Sequence, residues 1–318
     1  MVIFVLLLLL GLAVAFSLGY GHGFRALWDG MGSQDGFGYV LRRIRIPRTL
    51  IALMVGGALA ASGTTLQSVL RNPLAEPYTL GLSGGASLGI AIAGVLGLQR
   101  QMGPWVNPLF GFLGGMASAA AVYALSRRRL FQPTGMVLFG IVTSLVFSSV
   151  VFLLFSLMDP DRMQTALMWL MGDLSALDVS LVPLYLILFV IPLAVLFFYG
   201  KEIDILSLGP EKARYLGVDP GRMYRLLFVL TSILTGLSVS AAGIIGFVGL
   251  IVPHILREVC GPRHGFLLIA SFLGGAFFLI GSDVISRYIV YPLELPVGVV
   301  TGILGGLLLL VLVLRRTR

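Results

Sequence analysis

Between Arg45 and Gly85 the chain reads RIPRTLIALMVGGALAASGTTLQSVLRNPLAEPYTLGLSGG. Two arginines flank a proline. An apolar run spaced by glycines follows, long enough to cross a bilayer. A polar turn bracketed by prolines, Arg71 to Pro77, then leads into a second glycine-rich apolar run. A basic end, one crossing and a tight polar turn make sense together only if the two ends of the run face different compartments.

The rest of the chain repeats this pattern. A helix needs about 20 residues, at 1.5 Å each, to cross ~30 Å of hydrocarbon. Runs of that kind lie near 1–20, 47–70, 78–98, 104–125, 135–158, 180–199, 223–243, 247–259, 265–285 and 296–314. The eighth, GFVGLIVPHIL, is short and is expected to cross only part of the membrane, packed inside protein. With 58% hydrophobic and 11% charged residues, against about 25% charged in soluble domains, no water-soluble surface can be built. The fold class is all-α, a polytopic membrane protein of about ten transmembrane helices in one domain over 1–318. The first run lacks a basic flank and exceeds a typical signal-peptide core, so it is expected to be a retained helix.

Ten crossings put both termini on one side. Fourteen of the 22 Lys and Arg then share that side, which predicts cytoplasmic termini. Five of the other eight fall in the single loop 21–48, and a basic cluster on the wrong side calls for an acidic partner, against the bland alternative that a long loop tolerates charge. Scattered basic residues without interleaved aromatics argue against nucleic acid.

Glycines at every fourth position, Gly81, Gly85, Gly89 and Gly298, Gly302, Gly306, predict smooth faces for close helix packing. A faint echo sets Gly63, Pro73 and Gly84-Gly85 beside Gly243, Pro253 and Gly274-Gly275. On spans of opposite direction it predicts an inverted repeat, spans 2–5 against 7–10. The longest terminal-side loop, 200–224, contains LSLGPEKARYLGV, read as a short helix opened by Pro210 and stopped by Gly217. Apolar Leu208, Tyr215 and Leu216 on it suggest a docked partner.

Absences narrow the function. No P-loop pattern occurs, so the chain cannot hold ATP in that way. HExxH, GxSxG and CxxC are missing. His22, His254 and His264 are far apart, and Cys260 is alone, so no metal site and no bound cofactor are expected. The acids Glu76, Asp283 and Glu294 fall at predicted span ends, leaving few intramembrane carboxylates for an ion-coupled carrier. A pathway without its own energy source needs an external motor. The competing readings are an ion-coupled secondary transporter and a membrane enzyme.

RIPRTLIALMVGGALAASGTTLQ, RNPLAEPYTLGLSGGASLG, LSLGPEKARYLGV, GIIGFVGLIVPHILR, SDVISRY and LELPVGVVTGILGG, in that order, resemble the FecCD-type permease subunits of type II ABC importers for iron-siderophores, haem and cobalamin. The resemblance covers essentially the whole chain. It implies a homodimer in a prokaryotic inner (plasma) membrane. Two copies of a P-loop ATPase carry the ATP and Mg, and a periplasmic or lipid-anchored substrate-binding protein delivers cargo. On this sequence it assigns binding-protein docking to Arg45, Arg48 and Arg287, leaving Arg42 and Arg43 as lipid-headgroup anchors. ATPase coupling goes to Leu208, Gly209, Glu211, Ala213, Arg214, Leu216 and Gly217. The cytoplasmic gate goes to Asn72, Leu74 and Thr134, although GlnProThrGly at 132–135 departs from the family pattern. Thr143, Ser144 and Ser148 could line the pathway or bond to their own helix. Met163, Met168, Trp169 and Met171 are expected at the membrane interface. Cargo identity is not readable.

Overall fold

The computed structural model describes residues 1–19, 36–127, 133–290 and 293–316, apart from the side chains of 36, 37, 100, 127, 133, 134, 313, 315 and 316. The described residues are helices and connectors, without a strand. One principal helix lies on each apolar run. They are α1 (Val2–Gly19), α2 (Ile46–Val69), α3 (Leu82–Val95), α4 (Val106–Arg127), α5 (Pro133–Ser156), α6 (Val182–Phe198), α7 (Pro220–Ala242), α8 (Val248–Cys260), α9 (His264–Tyr288) and α10 (Val297–Arg316). Short helices occupy Leu98–Met102, Pro160–Leu170, Gly200–Ser207 and Pro210–Tyr215.

Among the described residues, seven segments are long and apolar enough to cross a membrane: those containing α1, α2, α4, α5, α6, α7 and α9. The shortness expected of α8 is observed, at 13 residues. Its counterpart α3, expected as a full span over 78–98, has only 14. The reason is local. Pro77–Leu80 forms a 3₁₀ turn, and Gly81 at φ +82° breaks the path before α3 begins. At 1.5 Å per residue each short helix reaches about 20 Å.

Helix α2 is the centre. It is buried nearly all round and packs on α9, α7, α8 and α6. Small residues make this possible. A Cβ on Gly56 would stand 2.4 Å from the Gly275 carbonyl oxygen, and one on Gly275 would stand 2.3 Å from that of Gly56. A Cβ on Gly63 would come within 1.8 Å of the Gly249 carbonyl oxygen, so these backbones touch directly. The series Gly81, Gly85, Gly89 packs on α4 and α5 as expected, and Gly298 abuts Met171 and Ile244. Gly302 and Gly306 differ, because a Cβ on either would meet no atom of the described residues within 4 Å.

The two halves pack alike, as the expected repeat requires. Helix α2 lies on α9 as α7 lies on α4; α3 packs on α4 and α5 as α8 packs on α9 and α10; α2 meets α8 as α7 meets α3. The residue-level echo fails, however. Gly84-Gly85 sit on α3, whereas Gly274-Gly275 sit on α9, which occupies the place of α4. The repeat therefore lives in topology, and the glycines answer to whichever backbone each one touches.

Candidate functional site

At one end of the bundle, ionic groups are gathered inside the protein. Chain entry to α2 runs through a π-helical turn, Leu41–Arg45, after which Pro47 opens the α-helix where its missing N–H costs nothing. That path turns Arg48 inward, to 6% exposure, and its Nε donates to Asp283 Oδ1 at 2.7 Å while Nη1 donates to Glu294 Oε2 at 2.7 Å. One helical turn along α9, Arg287 Nη2 pairs with Asp283 Oδ2 at 2.9 Å and donates to Ser17 Oγ of α1 at 2.8 Å. Asp283 is 1% exposed and Glu294 56%. Two cations and two anions thus close an electrically neutral cluster joining α1, α2, α9 and the loop before α10. Arg45 Nη1 donates to the Leu18 carbonyl at 2.8 Å. Arg42 and Arg43 are exposed. Exposed Asp178, whose carboxyl is held below the ordinary range mainly by the Ser180 hydroxyl and N–H, also feels the Arg43 charge.

The breaks before α3 and α8 face each other. Glu76 Oε1 accepts the Phe247 N–H at 2.6 Å, and Tyr78 Oη accepts the Ile245 N–H at 3.2 Å. From α2, Gln67 Nε2 donates to the Gly249 and Leu250 carbonyls. Phe247 holds φ +70°, a conformation a bulky residue rarely adopts. Burial pushes the Glu76 carboxyl upward, and the Phe247 N–H partly offsets this.

The other end is built from turns. Asn72 Oδ1 caps the Leu74 N–H at 3.0 Å, and Leu74 is exposed. Arg71, at φ +48°, lays its guanidinium against Gly209, where a Cβ would stand 2.5 Å from Nη2. Gly209 itself holds φ +116°, open only to glycine at low cost. Pro210–Tyr215 follows, with Ala213 buried against the bundle and Leu208, Tyr215 and Leu216 exposed, Tyr215 at 91%. Val218 N–H reaches the Ala213 carbonyl and Gly217 N–H the Arg214 carbonyl, a Schellman stop with Gly217 left-handed as its sequence predicts. Asp219 then caps α7.

The model of the FecCD transport family matches residues 1–315. The chain belongs to the FecCD transport family. It is 36% identical to the hemin transport system permease protein HmuU of Yersinia pestis, over 98% of this chain and 94% of that one. To the Fe(3+) dicitrate transport system permease protein FecD of Escherichia coli it is 38% identical, over 96% and 95%. A solved structure described as an inward-facing metal-chelate type ABC transporter superposes with TM-score 0.87 at 30% identity, covering 98% of both chains. Membership makes this chain a transport permease.

Within this FecCD permease the assigned residues separate into three kinds. Leu208, Glu211, Arg214, Leu216 and Gly217 are exposed on one small surface, with Gly209 and Ala213 buried beneath it. Asn72 and Leu74 lie in the turn beside that surface, through Arg71. Thr134 falls in the first turn of α5, and its side chain is outside the described residues, as are His22 and Arg25. Arg48 and Arg287 are buried and donate to Asp283, Glu294 and Ser17 inside the chain. Asp283, read as a span-end acid, is a buried counter-ion. Thr143 Oγ1 donates to the Phe139 and Gly140 carbonyls, and Thr143 and Ser144 face Gly81 and Gly84. Ser148 is half-buried. Pro160–Leu170 buries Ala166 and Trp169 and exposes Met168, with Met171 exposed just past its end. Only the Asp283–Arg287 spacing, one helical turn, was available from sequence to signal the ion cluster.

Proposed function

We propose that the chain is the membrane permease of an ATP-driven importer that passes an iron chelate, haem or cobalamin from a substrate-binding protein to the cytoplasm. The observation that carries this reading is the exposed Pro210–Tyr215 helix, seated through Gly209 on the Arg71–Pro77 turn in a chain with no P-loop. An apolar surface on a short loop helix suits a groove on a separate ATPase, which supplies ATP and Mg; the permease holds no cofactor of its own. Two ATPase copies serve a permease homodimer, a state supported by Gly302, Gly306 and the exposed apolar side chains of α5 and α10. Ten crossings in the inner membrane of a prokaryote, with both termini cytoplasmic, put the Gly209 end inside and the Arg48 end outside.

The buried ion cluster modifies the docking assignment. Arg45, with Arg42 and Arg43 around it, meets carboxylates of the binding protein, while Arg48 and Arg287 hold the helices that form this platform. Gating falls to Asn72 and Leu74 and the start of α5 near Thr134.

Reconstitution tests the whole. The permease is placed in proteoliposomes with an ATPase and a binding protein encoded beside it, and haemin, ferric citrate and cyanocobalamin are offered in turn. ATP-dependent uptake of one of them is expected. Uptake that follows an ion gradient without ATP would overturn the reading in favour of a secondary carrier.

A further inference from the structure

The Gly209 end contains a second connection between the 200–224 loop and the bundle. Helix Gly200–Ser207 precedes the exposed Pro210–Tyr215 helix and lies against the start of α9. A Cβ on Gly200 would be 2.9 Å from the Gly265 Cα, so the two backbones are nearly in contact. One turn further, Asp204 Oδ1 accepts two hydrogen bonds from His264, from the main-chain N–H at 2.8 Å and from Nδ1 at 2.6 Å. The remaining ring nitrogen, Nε2, meets Ser68 Oγ in the last turn of α2. Ser68 Oγ also lies 3.0 Å from the Thr64 carbonyl oxygen. His264 and Ser68 are both buried. A single ring therefore ties three elements together: the loop helix, the first turn of α9 and the end of α2.

Proton counting shows that this tie is stable. With Nδ1–H committed to Asp204, Nε2 of the neutral ring accepts, and the Ser68 hydroxyl turns toward it. In the charged ring Nε2 donates to Ser68 Oγ, and the hydroxyl returns to the Thr64 carbonyl. Either state leaves each ring nitrogen partnered, so both protonation states can keep the three elements connected. The residue types are those of a hydrolytic triad. Here, however, the serine hydroxyl is buried in the packed end of α2 and bonded back toward its own helix, so the arrangement transmits position and presents no nucleophile.

Ser68 stands four residues before Asn72 and six before Leu74. We propose that Asp204, His264 and Ser68 form a mechanical joint through which displacement of the Pro210–Tyr215 helix is passed to the end of α2 and so to the Arg71–Pro77 turn. The inference rests on the ATPase-coupled reading above. It makes His264 and its two partners positioning residues for transport.

The test uses the full permease–ATPase complex in lipid nanodiscs, with Leu74→Cys spin-labelled in a Cys260→Ser background. Pulsed EPR reads the change in label-to-label distance between nucleotide-free and ADP-vanadate-trapped states. Ser68→Ala cuts the link to α2 and leaves the Asp204–His264 pair intact; His264→Asn keeps a donor near the Nδ1 position only; Asp204→Asn keeps an accepting oxygen. In Ser68→Ala and His264→Asn the displacement should fall about 3- to 10-fold with melting temperature and ATP hydrolysis retained, inside the roughly 2- to 30-fold over which residues that carry coupling act. Asp204→Asn should behave as wild type. Full displacement in both Ser68→Ala and His264→Asn overturns the joint alone. A wild-type complex with no nucleotide-driven displacement overturns the joint together with the ATPase-coupled reading beneath it.

Discussion

The two ends of this permease solve opposite problems with the same residue, arginine. At one end Arg48 and Arg287 are buried and share Asp283, with Glu294 closing the charge count. At the other, Arg71 lies over Gly209 in a left-handed turn, beside a six-residue helix that exposes Leu208, Tyr215 and Leu216. The first end is cross-linked by charge and resists deformation, since moving Arg48, Asp283 or Arg287 strands a buried ion. The second is held by main-chain turns, small residues and a few hydrogen bonds, which yield at lower cost. On the proposed function this asymmetry is useful: a stiff platform would receive cargo, and a pliant linkage would take the force.

The comparison breaks most readily at Asp283. Its replacement by Ala leaves two arginines buried without their shared carboxylate, and a loss of about 3–5 kcal/mol is expected, read as a drop in melting temperature in detergent. An unchanged melting temperature would mean that the Arg48 end is no stiffer than the other. Next comes Ala213→Trp at the pliant end. Overpacking there costs about 1–3 kcal/mol locally. The bundle should keep its melting temperature while ATP-driven uptake falls by about tenfold, equivalent to roughly 1.4 kcal/mol.

Arg45→Glu sharpens the outer assignment. Affinity for the binding protein at low salt should fall by about tenfold or more, from the bottom of the ~1.5–7 kcal/mol span of close interfacial charge pairs upward, with stability unaltered. Equal affinity would remove Arg45 from the docking surface. Glu76, in the connector between α2 and α3, gives a pH signature. Burial raises its carboxyl pKa above 4.5, so the native state binds a proton more readily than the unfolded chain. Stability therefore rises as pH falls through the raised pKa toward 4.5 and is lost as pH climbs past it. Melting curves across that window should show this slope, and Glu76→Gln should flatten it. The smallest effect belongs to Glu294→Gln: more than half exposed, its carboxylate contributes about 1 kcal/mol or less, and added salt should mask the difference.

Much of this was legible in the chain. Apolar runs of bilayer length gave an all-helical membrane fold, since hydrocarbon leaves a spanning backbone few alternatives. Pro210 and Gly217 bounded the loop helix correctly because caps are local chemistry. What the chain concealed was long-range. Arg48 meets Asp283 across 235 residues, and His264 meets Ser68 across 196. Neither pairing leaves a spacing to read, so the burial of Arg48 and of His264 was not legible in the chain. The shortness of α3 was hidden for another reason: hydropathy does not register that Gly81 turns left-handed, and an apolar 3₁₀ turn reads like helix.

The meeting of the two backbone breaks bears on how the chain is made. Glu76 and Tyr78 satisfy main-chain N–H groups 171 and 167 residues further on. At a synthesis rate of about 5–20 residues per second, that partner segment leaves the ribosome roughly 10–30 s after the first break has been inserted. During that interval the early half of the protein waits in the membrane with an acidic side chain and no native counterpart. Biogenesis of such a permease therefore favours insertion machinery that shelters the N-terminal half until the C-terminal half arrives, and fragments expressed separately should find each other only when produced in the same cell.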